Sequence, residues 1–175
     1  MKPFITPEVS AQGKKLLKFH CEGISIRELR AMVLKKNIVC CSIPEDHSFR
    51  ETWSFRLGFE GGVLLEFSSA STEVVGWQEV GSLNVQKMDD SKAGAIGRIT
   101  TFAKPFRVSE LEKVVYEDDD VISECGMAFH GGVGEPELVV AAGISPGSVS
   151  VAGQCSDEGF APQFAISTCR REKII

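Results

Sequence analysis

Between residues 53 and 67 apolar and polar side chains alternate on both sides of a Gly-Gly pair, and no other feature narrows the possible folds as much. Trp53, Phe55, Leu57 and Phe59 interleave with Ser54, Arg56 and Gly58; Glu60-Gly61-Gly62 follows; Val63, Leu65 and Phe67 resume the pattern. A period of two sends successive side chains to opposite faces of an extended strand. A short Gly-rich break between two such runs is the signature of a hairpin. The spacing predicts that Trp53, Phe55, Leu57, Val63, Leu65 and Phe67 face a core, and that the hairpin is scaffold rather than binding surface.

Strand-like runs recur downstream. They cover residues 73–80 and 82–88, separated at Gly81, and a stretch from Arg98 to the Lys104-Pro105 break. Others cover 106–116, 121–130, 136–143, 148–153 and 163–169, with Ser145-Pro146-Gly147 suited to a type II turn. Residues 88–97 are small and polar and read as a loop. Helical signal is confined to the N-terminal part. Ser25 and Glu28 form a capping box ahead of Ile26, Leu29, Met32 and Val33, which share one helical face, and Lys35, Lys36 and Asn37 suit the helix end. Thr6-Pro7-Glu8 offers a second helix start, weakened by Gly13, while residues 16–21 read equally well as a strand. The expectation is one α+β domain over residues 1–175, with one or two N-terminal helices packed on a largely antiparallel curved sheet or sandwich.

The chemistry-bearing residues are scattered. No stretch reaches the ~18 apolar residues of a membrane helix, and residues 1–7 lack the apolar run of a secretory leader, so the expected compartment is the cytoplasm. Six cysteines without a CxxC pair, two of them adjacent at Cys40-Cys41, are then expected as free thiols. His20, His47 and His130 fall in no metal-ligand spacing. His20 and Cys21 are neighbours that would point to opposite faces of a strand. The glycines at 58–62 and 131–134 match no phosphate loop. These observations predict no catalytic residue, no cofactor and no metal.

Charge is concentrated. The net charge is -5, but residues 1–36 hold eight Lys/Arg against three acids, and residues 108–137 hold one against nine. Within the second segment Glu117-Asp118-Asp119-Asp120 forms an acid run, suited both to a solvated turn and to contact with a basic partner. Such a segment repels nucleic acid as a direct ligand. The runs VVYEDDDVISECGMAF (114–129), ELVVAAG (137–143) and SPGSVSV (145–151) together resemble immunity proteins of bacterial contact-dependent growth inhibition and related polymorphic toxin systems. That resemblance implies stoichiometric binding and neutralisation of a cognate toxin domain, commonly a nuclease and often tRNA-directed, with Glu117, Asp118, Asp119 and Asp120 contributing contacts through charge complementarity. Two other readings stand beside it: a cytosolic enzyme with a Cys/His or carboxylate site outside known motifs, and an adaptor that binds another protein.

Overall fold

A computed structural model describes residues 7–89, 97–132, 134, 136–156 and 159–175. Residues 90–96, most of the loop expected at 88–97, lie outside this set.

The helix announced by Ser25 forms as α1 (Ile26–Val33), with the Ser25 and Glu28 side chains capping each other's backbone as the capping box requires. Its buried Leu29 and Val33 dock it on the main core. Before it come β1 (Glu8–Val9), β2 (Lys15–Leu17) and β3 (His20–Glu22); after it come β4 (Asn37–Ile43), β5 (Phe55–Phe59), β6 (Leu64–Glu73), β7 (Glu79–Met88) and β8 (Arg98–Arg107). The C-terminal half holds β9 (Glu110–Glu117), β10 (Val121–His130), β11 (Leu138–Ala142), β12 (Val149–Gly153) and β13 (Arg170–Lys173).

The α+β expectation is therefore wrong. The described chain is mostly β, with a single α-helix of 8 residues and two mixed sheets. One sheet runs β3-β7-β6-β5-β4-β8; the other joins β1, β2, β10, β11 and β12, with β9 on the second edge of β10 and β13 outside β9. The second candidate helix fails at Gly13, whose φ of 84° turns the chain back so that β1 pairs with β2. Residues 15–22 become β2 and β3, which pair in parallel with β10 and β7 respectively. Those two parallel pairs make both sheets mixed rather than antiparallel.

Phe55, Leu57, Leu65 and Phe67 are fully buried between the sheets, where Phe67 meets Phe129 of β10 edge-on at 6.1 Å. Trp53 departs from its predicted inward face. It precedes the strand and is 52% exposed, because Thr52 pairs with Val149 and turns the chain before β5 begins. Val63 is only partly buried.

Three further expectations fail locally. Gly81 does not break the chain: β7 runs through it, and an added Cβ there would lie 2.6 Å from the Cβ of Ala142 in the facing sheet. The glycine marks a close approach between sheets, not a turn. Pro105 does not end β8. The β4–β8 register jumps from Ile38↔Phe106 to Cys40↔Thr101, so the proline sits in an irregularity on an edge strand, where its missing N–H costs no ladder bond. Residues 163–169 are not a strand. They form a strap with a 3-10 turn (Ile166–Thr168), in which Phe164 stacks on Tyr116 at 3.7 Å and, with Phe160 and Ile166, covers Val114, Cys125, Ala128 and Ala142. The C-terminal sheet is thus apolar on both faces. No helix among the described residues is long and apolar enough to cross a membrane.

Candidate functional site

The acid run forms the turn between β9 and β10, and its four carboxylates have different fates. Asp118 builds the turn. Its Oδ1 accepts the backbone N–H groups of Asp120 (2.9 Å) and Val121 (2.8 Å), and its Oδ2 accepts the Tyr116 hydroxyl (3.1 Å). Burial disfavours its charge, but these donors outweigh burial and hold the carboxyl below its ordinary range. Glu117 is pinned from two sides, by Lys14 Nζ at 2.9 Å and by the Arg170 guanidinium; Lys14 also donates to the Asp118 carbonyl. The Lys14 and Arg170 bonds lower the Glu117 carboxyl as well. Asp119 and Asp120 are exposed at the tip.

Elsewhere in residues 108–137 three further acids are paired, partly with bases of the same segment and partly with Arg171 and Lys173 from the distant C-terminal strand. Glu124 pairs with Lys113 at 2.6 Å, Glu110 with Lys173 at 2.6 Å, and Glu112 with His130 at 2.8 Å and Arg171 at 3.9 Å. Among the described residues the broad acidic surface suggested by local counting narrows to the turn's tip and Glu137.

Glu110, Glu112, His130, Arg171 and Lys173 line a second feature, a cleft of about 620 Å³ that also takes in Ser109, Gly132 and Gly134. Glu110 and Glu112 alternate on β9 and so share a face. His130 ends β10 directly opposite Glu110. A bulge at Cys125 brings them together: the register before it pairs Glu124 with Val115, the register after it pairs Gly126 with Val114. Were the first register carried on without the bulge, Glu110 would oppose Phe129, and His130 would face the other way. His130 and Glu112 have side-chain exposures of 8% and 12%, so their contact is well shielded. Lys173, bonded to Glu110, holds that carboxyl below its ordinary range.

A third feature is a shallow depression of about 390 Å³ lined by Asp46, His47, Ser48, Glu51, Thr52 and Trp53, with His47 edge-on to the indole at 6.4 Å. The six thiols are free; Cys41 neighbours Cys155 and Cys125 neighbours Cys169, while the Cys125 and Cys169 thiols donate to the carbonyls of Val114 and Ala165. In the second pair Cys125 lowers the Cys169 thiol to about 7, whereas burial pushes Cys21 up to about 11.

The fold thus keeps Glu117, Asp118, Asp119 and Asp120 together but divides their roles. It also assembles Glu110, Glu112, His130, Arg171 and Lys173, which sequence spacing does not single out. The only sequence trace of that group is the i, i+2 pair Glu110/Glu112 on a strand-like run. Comparison of the chain with protein-family models, with curated proteins and with solved structures finds no match.

Proposed function

We propose that the chain is a binding protein without catalytic activity of its own, acting in the cytoplasm to neutralise a basic toxin domain, a nuclease, by stoichiometric engagement. The partner class comes from the resemblance of residues 114–151 to immunity proteins. The observation that carries the reading is the division of labour in the β9–β10 turn: Glu117 and Asp118 are committed to internal partners, which leaves Asp119 and Asp120 exposed on a braced loop.

Bracing matters because an ordered contact loop loses little conformational entropy when it docks. An exposed ion pair contributes only about 0–1 kcal/mol. Carboxylates desolvated against Arg or Lys contribute more, and they also steer encounter with a positively charged nucleic-acid-binding face. In this reading Asp119 and Asp120 contact the partner, while Glu117 and Asp118 hold the turn in shape.

The test is co-expression with the product of a neighbouring toxin gene, followed by co-purification, a growth-rescue assay and association kinetics. The Asp119→Asn/Asp120→Asn double variant should melt like the unaltered protein but associate more slowly, with a shallower salt dependence around the ~8 Å Debye length of physiological ionic strength. Asp118→Asn should instead lower the melting temperature. Failure to bind or protect against any such toxin domain removes the reading; an unchanged association rate in the double variant removes the tip from the interface.

A further inference from the structure

Glu110, Glu112 and His130 place one carboxylate oxygen each and one imidazole nitrogen within 4.8 Å of one another. Glu112 Oε2 and His130 Nε2 are 2.8 Å apart. Around a first-row divalent ion with bonds of ~2.0–2.2 Å, tetrahedral donor atoms sit ~3.4 Å apart, so closing the triangle asks for side-chain shifts on the order of an ångström. Two of the donors have a firm base, since Glu112 lies within β9 and His130 is buried at the end of β10. The third, Glu110, is more open at 35% side-chain exposure and can adjust. The cleft in front of them leaves room for exchangeable ligands.

Charge decides whether a cation can enter. The cluster is already balanced, with Lys173 on Glu110 and Arg171 beside Glu112. Lys173, however, is 65% exposed at the end of a flexible stem, and its ammonium can return to water at little cost. A dication bound by the two carboxylates and a neutral imidazole would take over the charge that Lys173 now supplies.

We propose that Glu110, Glu112 and His130 form a binding site for a first-row divalent metal ion, with the Lys173 ammonium as the competitor that occupies Glu110 when no metal is bound. Two carboxylates and one imidazole suit manganese, iron, cobalt or zinc rather than a thiophilic ion. Three protein donors leave coordination positions open toward the cleft, as in exchangeable sites and unlike closed structural ones. Arg171 and the displaced Lys173 would then flank the ion, which favours a small anion as its further ligand. This proposal does not depend on the toxin-binding reading and is tested without any partner.

The experiment titrates the chelator-treated full chain with Co(II), followed by visible absorption, and with Mn(II), followed by calorimetry. The six thiols supply an internal control, because thiolate ligation of cobalt adds an intense near-ultraviolet charge-transfer band that oxygen and nitrogen ligation lacks. One ion per chain without that band is expected. Glu112→Gln and His130→Gln should each weaken binding about tenfold or more, since loss even of a group that only orients a metal ligand costs about 10–100-fold. Lys173→Met should tighten binding several-fold by removing the competitor, an effect that an ion-pair cluster with no affinity for metal would not show. If thermal melting shows that His130→Gln does not fold, Glu110→Gln and Lys173→Met decide the question. The proposal is overturned by no saturable binding up to millimolar metal, by a thiolate band, or by affinity that Glu110→Gln and Lys173→Met leave unchanged.

Discussion

Phe55 and Trp53 are equivalent in the alternating pattern, yet the fold treats them oppositely, and truncating each to alanine measures the difference. The Phe55 ring is fully buried, 6.3 Å from Phe49 and 6.1 Å from Phe67. Removing such a ring forfeits its transfer free energy and leaves a cavity that neighbours fill only in part, a cost of about 3–5 kcal/mol. The fully paired strand around it has little freedom to collapse, since β5 is hydrogen-bonded on both edges by β4 and β6. Taking about 4 kcal/mol and a urea m-value of about 2 kcal/mol/M, the midpoint of denaturation should fall by about 2 M. For a domain of typical stability, about 5–15 kcal/mol, that loss can be most of the total. Trp53→Ala, at a half-exposed position ahead of the strand, should move the midpoint by no more than about a quarter of that. Phe55→Leu, which keeps an apolar side chain in the site, should fall between the two. Urea denaturation followed by far-ultraviolet circular dichroism on the three variants provides the comparison. A Trp53→Ala loss equal to that of Phe55→Ala, or a Phe55→Ala loss under about 1 kcal/mol, would refute the assignment of faces.

Two other perturbations have defined outcomes. Gly81→Ala introduces a methyl group 2.6 Å from the Ala142 Cβ and should destabilise by about 1–3 kcal/mol in calorimetry, with much of the loss recovered in the Gly81→Ala/Ala142→Gly double variant. Glu117 and Asp118 both have folded-state carboxyls held below their unfolded value of about 4, so their stabilisation is complete above that range and is lost as pH falls through the folded values. The melting temperature should accordingly drop on acidification, with a visibly flatter profile in Asp118→Asn; identical profiles would mean that the turn's hydrogen bonds carry no net stability.

Local pattern was a good guide where local forces decide. The capping box at Ser25, the turn at Glu60-Gly61-Gly62 and the strand over residues 121–130 are written in residues close in sequence, and all three appear at those places. Misreadings arose where a distant segment overrode the local signal. Gly81 looks like a breaker until Ala142 is placed against it, and Pro105 looks like a terminus until the β4–β8 irregularity absorbs it. The apolar run at 163–169 resembles a strand because the outer face it covers is itself apolar. The acid run was visible, but its division into braces and tip was not, because the bracing cations Lys14 and Arg170 lie 103 and 53 residues away. The Glu110–His130 juxtaposition rests on a one-residue bulge at Cys125, and a bulge leaves no mark on composition or period.

The parallel pairing of β2 and β3 also bears on how the chain is made. His20 pairs opposite Asn84, and Lys15 opposite Val121, so the first strands must wait some 64 and 106 residues for their neighbours to leave the ribosome. The β1-β2 hairpin and the β4-β5-β6-β7 meander can settle early from contacts close in sequence; the rest of the sheet that holds β1 and β2 cannot assemble until β9, β10 and β11 are all present. Pairings of such long range place folding among the slower single-domain cases, on the order of milliseconds to seconds. Until those neighbours arrive the apolar Leu17 and Phe19 stand without their final cover, and exposed apolar surface of that kind is prone to aggregation.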